Sequence, residues 1–169
     1  MQKNKTNQMT SIAIGVGILF TGGWAILMFS RLLPFPGGKY LAMSPYISLV
    51  IYVLQNKVPG TFTPFAFSLV FALLMLIINV FMGMAIFLTG ILTSIPLIFI
   101  RSNERRARVA GILYSSFTLL TALLVSKYAI GGVFLNIPDW WIGICVILGG
   151  ILGTFGIIAG NRVLKSLKS

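Results

Sequence analysis

"FAFSLVFALLMLIINVFMGMAIFLTGILTSIPLIFI", residues 65–100, runs for 36 positions without a charged side chain. The number of times it crosses a bilayer decides the fold. At about 1.5 Å per residue, a single helix of this length would reach about 54 Å, nearly twice a hydrocarbon layer of about 30 Å. Two spans joined by a tight turn fit better. "NVFMGM", residues 79–84, supplies the break through Asn79 and Gly83.

The surroundings of this run show that a bilayer is the right frame. Of 169 residues, 57% are apolar and only 9% charged, and the mean hydropathy is +0.99. A soluble domain carries about 25% charged residues, so a surface this poor in charge would aggregate in water. The expected spans are 11–30, 41–54, 65–82, 85–100, 109–126 and 140–160, in a single domain covering residues 1–169. The second is short: it pinches the bilayer, tilts little, or begins inside the loop before it. Lys3 and Lys5 followed by an apolar run imitate a signal peptide. The run 11–30 is too long for a signal core of about 7–15 residues and reads as a retained first span.

Cations test the count. With six spans, Lys3, Lys5, Lys57, Arg101, Arg105, Arg106, Arg108, Arg162, Lys165 and Lys168 share one side, and Arg31, Lys39 and Lys127 the other. With five spans, "RSNERRAR" (101–108) and the C-terminal tail change sides, and the bias reverses. The cytoplasmic excess of Lys and Arg selects six. The expected fold class is therefore an all-α integral membrane protein, a six-transmembrane-helix bundle with both termini cytoplasmic. The net charge of +11 is then mostly a record of topology. The basic residues are scattered over short membrane-flanking segments, which suits anionic lipid headgroups and not nucleic acid.

Much chemistry is excluded. There is no histidine, and Glu104 and Asp139 are the two acidic side chains, on opposite sides of the membrane. A catalytic triad, a carboxylate pair and a His-based metal site are not available. No GxxxxGK[ST] loop is present, and no ionisable group lies centrally in a span to relay protons. Cys145 has no intrachain partner for a disulfide. The expectation is a protein that is not an enzyme, needs no cofactor or metal, and binds or passes something without driving the process itself.

Two outward connections stand out, 30–46 ("SRLLPFPGGKYLAMSPY") and 126–141 ("SKYAIGGVFLNIPDWW"). Both contain Gly-Gly and Pro, both carry aromatics (Phe35, Tyr40, Tyr46, Tyr128, Phe134, Trp140, Trp141), and together they hold every outer charge. Aromatic walls with a few placed polar groups make a small-molecule pocket, and Gly-Gly lets a loop fold over a ligand. The same residues also anchor any membrane interface, so both readings stand. On the pocket reading, the substrate-binding residues are Arg31, Lys39, Tyr40, Lys127, Asn136, Asp139 and Trp140. Asn79 either bonds a neighbouring helix or reaches the ligand from below. Three outer cations against one anion favour a substrate carrying carboxylate or phosphate.

Glycine is also patterned. Gly149, Gly153, Gly156 and Gly160 share one face of the last span, suited to close packing within the bundle. Ala13 and Gly17, followed by Thr21, give the first span a small-residue face, which either packs internally or docks a separate membrane protein.

With "AIGVG" (13–17), a long outer connection after the first span, and a glycine-rich last span ending in a basic tail, "GGILGTFGIIAGNRVLKSLKS" (149–169), the layout resembles a substrate-binding S component of an energy-coupling factor (ECF) vitamin transporter. The resemblance implies capture of a vitamin or related nutrient from outside, under the first and fifth loops. It also implies work with a transmembrane coupling protein and two cytoplasmic ATPases, which explains the missing ATP motif. Small residues of the first helix, here Ala13 and Gly17, would form the coupling surface. The absence of histidine departs from the nickel and cobalt members of the family and argues against a metal substrate. A structural or assembly subunit of a membrane complex, without a ligand of its own, is the alternative.

Overall fold

The computed structural model describes residues 2–30 and 36–166; Arg31 and Phe35, assigned above to the outer connection, lie outside the described residues. Helix accounts for nearly all of the described chain. The helices are α1 (Gln2–Ser30), α2 (Gly38–Lys57), α3 (Thr63–Ile78), α4 (Val80–Leu97), α5 (Asn103–Val125) and α6 (Asp139–Ser166). A π-helical turn, Ser126–Ile130, continues α5, and a 3-10 turn, Gly132–Asn136, leads to α6.

Burial is arranged for lipid. Phe29, Ile77 and Phe99 are 78%, 88% and 82% exposed, while Ser48, Ser68, Thr93 and Ser115 are fully buried. A water-soluble protein would not turn its large apolar residues outward in this way. Membrane helices do, and use small hydroxyl residues as interhelical contacts. Four stretches are long and apolar enough to cross a bilayer: Thr6–Ser30, Val80–Leu97, Asn103–Ile130 and Asp139–Ser166. α3 is apolar but has 16 residues. α2 has 20 and is diluted by Lys39, Ser44, Ser48, Gln55 and Asn56.

The run 65–100 does break into two helices, and the break is a single residue. Asn79 is extended (φ −156°, ψ 117°). Its N–H donates to Met75 O at 2.7 Å, completing α3, and its side-chain Oδ1 accepts from Met82 N at 3.1 Å, capping α4. Gly83, expected to help form the turn, lies inside α4. A Cβ there would sit 2.6 Å from Leu76 Cγ and 3.0 Å from Ala72 O, so its role is to let the hairpin close. Further along, Phe65 and Phe87 pack with ring centroids 6.0 Å apart, as an antiparallel pair requires. The two helices thus run 63–78 and 80–97, where spans over 65–82 and 85–100 were expected.

The two outer connections are shorter than their sequences suggested. α2 begins at Gly38, initiated by Gly37 at φ +92°, a left-handed conformation that costs glycine nothing. Tyr40 N and Leu41 N both bond Gly37 O at 3.0 Å. Most of 30–46 is therefore helix, with Pro45 inside it. In 126–141, helical turns replace the expected irregular loop. A Gly-Gly pair in each segment marks a local change of direction, not a long flap.

α6 packs by its glycines. Side-chain carbons at Gly153, Gly156 and Gly160 would collide with Ser115, with the backbone of Pro45 and Leu49, and with Tyr52. Two hydroxyls use this proximity: Ser48 Oγ donates to Gly153 O at 2.7 Å, and Ser115 Oγ reaches Gly149 O at 3.1 Å. Tyr52 OH donates to Asn161 Oδ1 at 2.5 Å. These contacts make α2 parallel to α6 and antiparallel to α5. Tyr46 OH, donating to Ile18 O at 2.6 Å, ties α2 antiparallel to α1. Direction alternates along the chain, so the start of α1 and the end of α6 share one end of the bundle. Lys57, "RSNERRAR", Arg162 and Lys165 belong to that same end. There the Arg106 guanidinium holds Ile100 O through Nε (3.1 Å) and Nη2 (2.5 Å), closing the α4–α5 connection.

Candidate functional site

At the opposite end the helices do not close. A cavity of about 230 Å³ lies between α1, α2, α3, α4 and α5, and α6 contributes nothing to its lining. The cause is the asymmetry of side-chain size. α6, α2 and α5 meet over glycine and serine and leave no room. On the cavity side, α1, α3 and α4 present Phe20, Trp24, Phe71, Met75 and Met82, and α2 presents Met43, whose bulk holds backbones apart. Along α4 the lining runs from Phe81 to Thr89, and along α1 from Leu19 to Leu27. Eight residues in each case make the cavity about 12 Å deep. A cavity of about 150 Å³ takes a benzene ring, so this one has room for a ring with substituents or a small fused pair.

Its polar groups fall in two places. At the mouth are Lys39, Tyr40 and Asn79. The Lys39 ammonium lies 5.0 Å from the centroid of the Tyr40 ring. At the floor are Thr89, Thr118 and Thr121. Thr89 and Thr121, almost fully buried, join α4 to α5 through a 2.7 Å hydroxyl contact. Below them Tyr114 OH and Ser68 Oγ are 2.6 Å apart, and Phe67 meets Tyr114 edge-on at 6.1 Å. This polar layer closes the inner end.

Of the residues assigned from sequence, Lys39, Tyr40 and Asn79 line the cavity. Asn79 does so at the mouth, as the cap of α4 and not from within a span. The other assigned residues among the described ones lie off this lining. Lys127 donates to Asp139 Oδ1 at 2.6 Å and to Ile137 O at 2.9 Å, which fastens the 3-10 turn to the end of α5, away from the lining. Asn136 is exposed, and Trp140 is exposed against the edge of Trp141 at 5.9 Å. Trp141 Nε1 donates to Pro36 O at 3.1 Å, linking the two outer connections. Within 126–141 the π-helical turn reaches the lining through Ser126 and Ile130, and the rest of the segment braces the rim. Arg31 lies outside the described residues.

Sequence reasoning missed the floor. Its signal was present: Tyr114, Thr118 and Thr121 recur at helical spacing, and a polar stripe on an apolar helix must face a partner or a cavity. On α1, Ala13, Gly17 and Thr21 are all exposed, and a Cβ at Gly17 would meet nothing within 4 Å. This face packs against no other part of the described chain.

Comparison with protein family models, with characterised proteins and with solved structures found no match for this chain.

Proposed function

We propose that this chain is the membrane-embedded substrate-binding subunit of a multi-component, ATP-driven importer of a vitamin-like nutrient. It crosses a prokaryotic cytoplasmic membrane six times with both termini inside. The observation that carries the reading is the cavity: deep, walled by five helices, largely apolar, polar at mouth and floor, and open at the end away from the basic clusters. Binding sites have this composition. The absence of a nucleotide-binding motif, and of any carboxylate, in the lining suits a subunit that captures a ligand while another chain supplies the energy. The uncovered Ala13–Gly17–Thr21 face supports a transmembrane coupling protein as a partner, since small residues let a second helix approach closely.

Mass spectrometry of small molecules released from the detergent-extracted protein tests the binding role. A stoichiometric organic ligand that also raises the melting temperature on re-addition is expected. Failure to recover or rebind any ligand would favour the assembly-subunit alternative. For the partner role, Gly17→Leu should abolish uptake in cells while ligand binding by the isolated subunit is unchanged; loss of binding with uptake partners still associated would refute it.

A further inference from the structure

We infer that the occupant of the cavity is a small organic anion, with its carboxylate or phosphate at the mouth, an apolar body of one or two rings, and a hydrogen-bond donor at the far end. This rests on the binding-subunit proposal and adds the chemistry of its ligand.

The charge pattern supports the anion. The chain has two acidic side chains, Glu104 and Asp139, and each is already paired. Glu104 bonds Arg108 on the exposed side of α5, and Asp139 bonds Lys127 at the rim. Lys39 has no ion-pair partner among the described residues, and no carboxylate lines the cavity it overlooks. Lys39 is exposed, so its charge is free to meet an anion from outside the chain, and beside low-dielectric walls such a cation attracts anions most strongly. Tyr40 OH and the Asn79 amide, also at the mouth, add hydrogen-bonding capacity for an oxyanion.

Counting protons at the floor supports the donor. Thr118 Oγ1 donates to Tyr114 O at 2.7 Å. Thr89 and Thr121 have two hydroxyl protons for four contacts: Ala85 O at 2.8 Å, Phe117 O at 2.9 Å, Thr118 O at 3.3 Å, and each other at 2.7 Å. Every assignment uses both protons inside the protein. What these three threonines offer the cavity is lone pairs, and acceptors select a donor. From Asn79 to Thr89 is ten residues of helix rise, about 15 Å. That length accommodates a two-ring acid with a hydrogen bond at each end.

The test uses three probes of one shape: 6-hydroxy-2-naphthoic acid, its 6-methoxy analogue, which cannot donate, and 6-hydroxy-2-naphthamide, which is uncharged. Each is titrated calorimetrically into the full chain in phosphatidylcholine nanodiscs. The hydroxy acid should bind tightest, with the amide weaker by up to about fivefold and the methoxy acid by about two- to tenfold, the scales of one exposed charge contact and one neutral hydrogen bond. Lys39→Gln should erase the acid-over-amide preference, and Thr121→Val the hydroxy-over-methoxy preference. Lys127→Gln, altered outside the lining, should change neither. The probe comparison on the unmutated chain decides the matter even where a variant fails to fold. Equal binding of acid and amide, or of hydroxy and methoxy acids, overturns the inference and leaves the binding-subunit proposal standing. An acid preference that vanishes when phosphatidylglycerol is added shows Lys39 held by a lipid headgroup and overturns it too. If none of the probes binds although a small molecule co-purifies, the ligand class is wrong; if nothing co-purifies either, both proposals fall.

Discussion

The closest backbone approach in the bundle is at Gly156, and adding one methyl group there measures it. The ideal Cβ of Gly156→Ala would lie 2.9 Å from Pro45 C and 3.0 Å from Leu49 N, and closer still to Pro45 O. These are backbone atoms of α2 and cannot rotate away. Relieving the contact with Pro45 O, the closest of the three, requires α6 to move off α2 by more than about 1 Å. That movement stretches the Ser48–Gly153 hydrogen bond, 2.7 Å, and loosens dispersion contacts along the seam. Overpacking of this kind costs about 1–3 kcal/mol. Alanine also favours helix over glycine by up to about 1 kcal/mol, which would mask part of the loss. Gly17→Ala is the control, because the same exchange on α1 meets nothing within 4 Å. The difference between the two variants cancels the propensity gain and leaves the clash. For a chain of this size about 1 kcal/mol shifts the melting temperature by about 2–4 °C. Gly156→Ala in detergent should therefore melt about 2–12 °C below Gly17→Ala. Equal melting temperatures, or a more stable Gly156→Ala, would refute the account of α6 packing by backbone proximity.

Asn79→Ala removes the cap of α4 and leaves Met82 N without its side-chain acceptor; a loss of about 0.5–2 kcal/mol should appear as a lower melting temperature, with Asn79→Asp recovering part of it. Thr89→Val and Thr121→Val break one hydroxyl contact from either side. A double-mutant cycle on thermal stability should return a coupling of about 0.5–1.5 kcal/mol, and a value of zero would mean the two hydroxyls do not depend on each other. Lys127→Ala leaves Asp139, already largely exposed, facing solvent and removes one bond to Ile137 O, so the melting temperature should fall only slightly and probe affinity should be unchanged.

Charge and hydropathy made the helical membrane class legible, because both follow from composition and from a bilayer of fixed thickness. The break in 65–100 was legible for the same reason, since no single helix of 36 residues fits. Its geometry was not. Asn79 and Gly83 are both breakers by type, and only packing shows that Asn79 turns the chain while Gly83 admits Leu76. The outer segments misled because Pro and Gly were read as loop formers. Pro45 sits in α2, and Gly37 starts that helix instead of hinging a flap. The cavity lining was half legible. Lys39 and Tyr40, singled out by their type and their end of the bundle, lie on it. Lys127 and Asp139 have the same type and lie at the same end, yet a 2.6 Å contact commits them to each other, and pairing across twelve positions is invisible in a linear pattern.

The position of the cavity follows from how the chain distributes small residues. α6 has a glycine or another small residue at each turn of its inner face, so α2 and α5 close on it, fixed by Ser48, Ser115 and Tyr52. The backbones of that half are close, and its hydrogen bonds must break if it moves. α1 and the α3–α4 hairpin make single hydroxyl contacts with the other helices (Tyr46–Ile18, Ser68–Tyr114 and Thr89–Thr121). They turn aromatic and thioether side chains to the cavity, of which methionine can repack around a ligand at little cost because it has several rotamers of similar energy. A ligand entering from the open end therefore meets a rigid wall formed by α2 and α5 and an adaptable one formed by α1, α3 and α4. The adaptable wall includes α1, whose opposite face carries the uncovered Ala13, Gly17 and Thr21. Occupancy of the cavity and the position of that surface are set by one helix, so a partner seated on α1 would sense the ligand without touching it.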